Sequence, residues 1–250
     1  MRDVNNWINK STDGMIRNVI DDLSSSDVML LVNTLTLDAE WSSYYYKEDV
    51  SSGKFHAYGG KQQKVSYMAS PERLVRDEGG AYGILKSYRN YAASDADEQE
   101  PHEFVFAALL PDEGIDLYDY IAGLTGERVR KALSGWKSAV RAKLPKFKFD
   151  FGAELKEPLK ALGIETVFRC GEADLSRIGT AAAPLYLGDV VQETFIEIDE
   201  KGTRAGAVTK GNIQEGDAYF GELTFDRPFV FLIYDRTANI PLFIGALTSV

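Results

Sequence analysis

The chain has 250 residues, 44% of them hydrophobic and 12% aromatic, which is enough apolar material for one large domain or two small ones and excludes a disordered chain. A formal charge of −10 excludes nucleic acid and anionic membranes as partners, because like charges repel and no strongly basic stripe offsets them. Cys170 is the only cysteine, so no internal disulfide can form. No apolar run reaches the roughly 18 residues of a membrane span, and Met1-Arg2-Asp3 leads into an amphipathic segment without a signal peptide.

In chain order, Val4, Trp7, Ile8, Met15, Ile16, Val19 and Ile20 predict a helix over 3–20, weakened at Gly14. The apolar run 28–37 reads as a central strand covered on both faces. Alternation from Phe55 to Met68 around Gly59-Gly60, then 81–85 and 104–110, predicts further strands, the last ended by Pro111-Asp112-Glu113-Gly114. The acidic run 95–100 reads as a solvated loop, and 115–134 as a helix pair broken at Gly123 and Gly126. Residues 144–151 alternate strictly, which puts Phe147, Phe149 and Phe151 on one face of a single strand and Lys146 and Lys148 on the other. With Lys137, Arg141 and Lys143, these lysines read as a solvated sheet face. A short helix over 154–162, a strand over 194–198 and a hairpin of 227–235 with 240–247 complete the chain. Strands dominate without a βαβ rhythm, which makes the class α+β with large mixed sheets.

Enzyme signatures are missing. The sequence contains no G-x-S-x-G, no G-x-x-x-x-G-K-[ST], no G-x-G-x-x-G after a strand and no H-E-x-x-H. His56 and His102 are the only histidines, and both read as loop or strand-edge residues. Carboxylates are plentiful, but nothing singles out a catalytic pair. The expectation is no catalytic residue, no metal and no cofactor.

The long stretch of small and polar residues over 199–221 lies between two strands, and a connection of that length in a compact domain is functional or disordered. In an extended conformation the odd positions Thr203, Ala205, Ala207, Thr209, Gly211 and Ile213 share one face, and none is charged. Arg204 and Lys210 fall on the other face. Such a segment can enter a sheet with its small face inward. About ten new backbone hydrogen bonds at roughly 0.5–1.5 kcal/mol each would give on the order of 5–15 kcal/mol, as much as a whole domain's stability. Holding it outside the sheet makes the native state a kinetic trap.

Phe195 to Ala207, with its acidic-x-Gly-Thr-x-Ala-x-Ala pattern at Glu200-Lys201-Gly202-Thr203-Arg204-Ala205-Gly206-Ala207, resembles the hinge of the serpin family. Other segments agree in order: Val4-Asn5-Asn6-Trp7-Ile8 with Gly14, Leu31-Val32-Asn33 with Trp41, Val65 with Met68, Leu109-Leu110-Pro111, Leu144-Pro145-Lys146-Phe147, Leu162-Gly163-Ile164, and Phe225 through Pro228 to Phe243 and Gly245. The likeness covers essentially the whole chain and starts at the family's sixth helix. It implies a single, N-terminally incomplete serpin domain over 1–250, with the N-terminal third absent and needed for a complete fold, and a reactive centre loop over 201–221.

The resemblance also implies a function. A protease attacks the loop, becomes an acyl-enzyme, and is trapped when the cleaved loop inserts into the main sheet, a strand addition that releases stored strain. The chain would thus be a suicide-substrate inhibitor of a serine or cysteine protease; the alternative is a non-inhibitory serpin acting as a carrier. By the same resemblance Glu200, Gly202, Thr203, Ala205 and Ala207 form the hinge, Asn33 and Gln192 belong to the shutter, and Trp41 stands at the breach where insertion begins. Gln192 takes the place of the histidine many relatives carry. Counting forward from Glu200 puts the scissile bond at Gly216-Asp217, and counting back from Pro228 puts it at Asp217-Ala218, so the loop carries an insertion and both bonds stay open. No Lys or Arg lies between Asn212 and Glu222, which favours an elastase- or subtilisin-like target over a trypsin-like one. An extracellular location is implied by the family alone.

Overall fold

The computed structural model describes residues 2–17, 19, 29–89, 102–135, 138–179, 184–203 and 221–250. Its strands are β1 (Leu30–Thr36), β2 (Ala39–Glu40), β3 (Val50–His56), β4 (Gln62–Asp77), β5 (Ala81–Ser87), β6 (Phe104–Pro111), β7 (Ser138–Pro145), β8 (Phe147–Glu154), β9 (Asp189–Ile198), β10 (Gly202–Thr203), β11 (Glu222–Thr224), β12 (Phe229–Asp235) and β13 (Ile240–Leu247). Its helices are α1 (Arg2–Ser11), α2 (Leu117–Ala122), α3 (Gly126–Ser134) and α4 (Lys156–Ala161). The chain folds as two compact units, Met1–Leu37 with Lys148–Ile196 and Asp38–Phe147 with Glu197–Val250.

In the first unit β1 and β9 run parallel in continuous register from Leu30↔Asp189 to Thr36↔Phe195, and β8 pairs with β9. α1 packs Ile8 against Phe195, with Ile16 and the partly buried Val4, Met15, Val19 and Val32 in the same cluster. The helix is shorter than its apolar spacing predicts. Asp13 and Gly14 both have left-handed φ, 47° and 77°, and the Thr12 hydroxyl donates to the Ile8 carbonyl while accepting from the Ile16 amide, so the turn replaces the next helical hydrogen bonds. Met15, Ile16 and Val19 still reach the cluster, which explains why the periodicity runs past the helix end. The run expected as a central strand stands at a sheet edge among the described residues. Among the described residues β1 pairs only with β9, and Leu31 is 49% exposed because α1 covers only the Val32 face.

The second unit holds an eight-stranded sheet in the order β11-β7-β4-β5-β6-β12-β13, with β3 on β4. All seven residues of β12 are buried, as are all but the first of β6, which accounts for their unbroken apolar sequences. On one face α2 and α3 pack Leu117, Tyr120, Val129 and Leu133 against Val105, Leu109, Val230 and Leu232. Both helices are capped by side chains that satisfy free amides: Asp116 accepts from Tyr118 and Asp119, and Thr125 from Arg128. On the other face an aromatic layer runs from Phe147 through Phe231 and Phe106 to Trp41, with ring centroids 5.4, 6.1 and 5.9 Å apart. The turn between β12 and β13 has Asn239 at φ 62° and the Asp235 carboxylate accepting from the Thr237 and Ala238 amides.

The single strand expected over 144–151 is two strands, β7 and β8, separated at Lys146. The inward parity changes at the break: Val140, Ala142 and Leu144 are the buried positions in β7, whereas in β8 Phe147 is buried, Phe149 half-buried and Phe151 57% exposed, so the alternation of the sequence does not mark one buried face. The basic residues here are ion-paired: Lys143 with Glu222 at 2.8 Å, Arg141 with Asp49 at 3.5 Å, and Lys146 with Glu200.

Candidate functional site at the turn 199–203

Where β9 ends, Asp199 folds the chain back. Its carboxylate accepts from the Lys201 and Gly202 amides at 2.7 and 3.2 Å, and its own amide donates to the Gly202 carbonyl. This local chemistry makes Asp199-Glu200-Lys201-Gly202 a tight turn and lays β10 antiparallel to β9, with Thr203 opposite Ile198. The other edge of β10 pairs with β2, Gly202 with Glu40 and Thr203 with Ala39. Only glycine fits at 202, since a Cβ there would stand 2.1 Å from the Ala39 carbonyl oxygen.

The segment after β2 grips the turn from outside the ladder. The Trp41 amide donates to the Lys201 carbonyl at 2.9 Å, the Tyr45 amide to the Glu200 carbonyl at 3.0 Å, and the Trp41 indole N–H to the Asp199 carbonyl at 2.9 Å. Thr203 is buried, and its Oγ1 lies 2.6 Å from the buried Tyr88 hydroxyl. The Tyr88 ring stacks on Trp41 with centroids 4.6 Å apart. Burial holds the Tyr88 phenol far above its ordinary range, so it stays neutral and able to donate.

Glu200 faces Lys146. Burial alone would raise its carboxyl, but the hydrogen bond from Lys146, backbone bonding and the Lys146 charge together hold it below its ordinary value of 4.5. A lowered folded-state pKa gives stability that is present above the unfolded pKa and is lost as pH falls through the folded one. With both side chains about a third exposed, the pair is worth no more than about 1 kcal/mol. Urea unfolding of the wild type against Glu200→Gln should therefore show a small wild-type advantage near neutrality that shrinks as pH drops below 4.5 and vanishes at lower pH.

Of the residues singled out from the sequence, Glu200, Gly202, Thr203 and Trp41 come together here. Asn33 and Gln192 lie in the first unit as direct cross-strand partners of β1 and β9, with Asn33 exposed. Ala205, Ala207, Gly216, Asp217 and Ala218 lie outside the described residues. Beyond the loop, the Gly221 carbonyl accepts from Arg141, and β11 pairs parallel with β7. Tyr88, Tyr45, Asp199 and Lys146, the last expected only as part of a solvated face, also belong to the site. Asp199 reads as turn chemistry, whereas the others come from segments distant in sequence. His102 lies 2.5 Å from the Asp235 carboxylate and stacks on Phe104. That carboxylate also holds the 235–238 turn, so the pair is structural.

The family model described as Serpin (serine protease inhibitor) matches residues 1–250. The chain belongs to the serpin family. Serpin-Z2A of Triticum aestivum is 28% identical over 98% of this chain and 63% of its own length, and Serpin-ZX of Hordeum vulgare is 29% identical over 97% and 62%. A thermophilic serpin, tengpin, solved in the native state, matches all of the chain and 62% of its own with a TM-score of 0.85 and 37% identity. Human thyroxine-binding globulin, solved with its hormone, has the same fold at a TM-score of 0.83 and 22% identity, over 99% of this chain and 63% of its own. The chain therefore spans a little over three-fifths of the length of these serpins, and its mixed sheets and few helices are a serpin fold.

Proposed function

We propose that the protein to which this chain belongs inhibits a protease as a suicide substrate. The observation that carries this reading is the position of Thr203. Its small, uncharged side chain already points inward beside Tyr88, while β1 and β9 still pair directly with no strand between them. Residues 204–213 continue the same parity, so after cleavage the loop follows Thr203 inward and replaces the parallel β1–β9 pairing with two antiparallel ladders. The gain comes from new backbone hydrogen bonds, and the native state persists because the old ladder must break first. The acyl-enzyme is carried along and distorted. Catalytic groups belong to the target, which the loop sequence selects as an elastase- or subtilisin-like serine protease cutting at Gly216-Asp217 or Asp217-Ala218.

A carrier role has one observation in its favour, an apolar cleft of about 420 Å³ lined by Leu124, Val129, Leu232, Tyr234 and Ile244, with Arg130 at its edge. The two readings separate cleanly. Full-length protein mixed with elastase-, subtilisin-, chymotrypsin- and trypsin-like enzymes should give a covalent complex that survives SDS with the first two. Loop cleavage should also raise thermal stability. Cleavage with neither complex nor stabilisation would reject inhibition in favour of the carrier.

A further inference from the structure

Lys86 lies near the end of β5, two residues before Tyr88, and it is only 3% exposed. Lysine is almost never so deeply buried without a partner, because removing the ammonium from water costs several kcal/mol. Its partners are specific. Nζ lies 2.5 Å from Glu72 Oε1 and 3.5 Å from Ser70 Oγ, and Ser70 itself donates to Glu72 at 2.5 Å. The ammonium also sits over two aromatic faces, 4.1 Å from the Tyr45 ring centre and 5.6 Å from that of Trp41.

These are the same two rings whose backbone amides hold the turn at Glu200 and Lys201. Trp41 further binds Asp199 through its indole and supports Tyr88, which meets Thr203. The Tyr45 hydroxyl is buried near Ser70 and Glu72, the same two residues that hold the Lys86 ammonium, so ring and cation share one set of neighbours. A buried ion pair is seldom the most stabilising filling for such a space; apolar side chains of similar volume do as well or better. What the pair supplies here is orientation.

We infer that Lys86, fixed by Glu72, is a positioning residue that sets Trp41 and Tyr45 against the turn 199–203 and so governs how firmly the hinge is held. The contact geometry stands by itself, and its consequence for trapping a protease rests on the inhibitory reading above. The test is hydrogen exchange on the full-length protein, read in peptides covering 41–45 and 199–203 and in β6 and β12 as references. Lys86→Met combined with Glu72→Leu removes the charges together and leaves neither orphaned, so it stays folded even if Lys86→Met alone does not. In the double variant, exchange around the turn should rise about tenfold or more, the scale of a desolvated cation–π contact, while β6 and β12 keep wild-type protection. Lys86→Arg, which retains a cation between the rings, should restore protection. A folded double variant with wild-type exchange at the turn would overturn the assignment, as would an arginine variant no better protected than the double variant. Because no protease enters the measurement, a wild type that fails to trap proteases would reject the inhibitory reading and leave this result standing.

Discussion

Under the inhibitory mechanism proposed above, Thr203→Arg is expected to turn the full-length protein from a trap into an ordinary substrate, cleaved in its loop and released. The threonine side chain is 1% exposed, with the Tyr88 hydroxyl 2.6 Å from its own and the Ile198 and Ala39 backbones on either side. The nearby carboxylate of Glu200 is already committed to Lys146, so a guanidinium at 203 would be buried without a counter-ion. That costs several kcal/mol, and the chain avoids it by leaving β10 unformed. Only a two-residue strand is lost, so the fold survives while insertion loses its starting point. A penalty of about 3 kcal/mol on the first step would shift the partition between trapping and turnover by roughly a hundredfold. Thr203→Ser keeps the hydroxyl and should still trap. The measurement is the yield of SDS-stable complex per loop cleaved, and an arginine variant with wild-type yield would end the insertion account.

Much of this site could be read in one dimension because its information is local. The inward parity of Thr203 follows from the two-residue period of extended chain, and the turn at Asp199 follows from the tendency of aspartate to bond the amides two and three residues on. The buried strands β6 and β12 announced themselves as apolar runs for the same reason. Other features are non-local. Tyr88 meets Thr203 across 115 residues, the Trp41 indole meets Asp199 across 158, and Lys146 meets Glu200 across 54. No periodicity encodes such pairings, and a lysine in an alternating strand reads as solvent-facing until its partner is placed beside it. The two boundaries that differ have separate causes. Past the turn at Thr12-Asp13-Gly14 the side chains of Met15, Ile16 and Val19 still reach the α1 cluster although the helical hydrogen bonds have ended, whereas at Lys146 the inward parity itself changes and Phe151 is 57% exposed.

Trp41 is where these local and non-local constraints converge, which makes Trp41→Ala the most disruptive single truncation in the hinge. The side chain is fully buried, stacked on Tyr88, edge-on to Phe106, above Lys86 and bonded to Asp199. Truncation leaves a cavity, which for a buried tryptophan costs about 3–5 kcal/mol. It also strips the Asp199 carbonyl of its indole donor and opens one wall around the ammonium. Trp41→Phe keeps an aromatic plate and loses the N–H, so it should cost about 1 kcal/mol from the hydrogen bond, with a smaller packing term. Urea unfolding of the two variants measures the split. A second consequence separates a hinge role from simple core packing: if the native state is a kinetic trap, loosening this corner lowers the barrier to insertion of the uncleaved loop. Trp41→Ala should then lose trapping activity on incubation faster than Phe106→Ala, which removes a buried ring from the same aromatic layer but makes no bond to the turn. Equal decay of the two would reduce Trp41 to a packing residue.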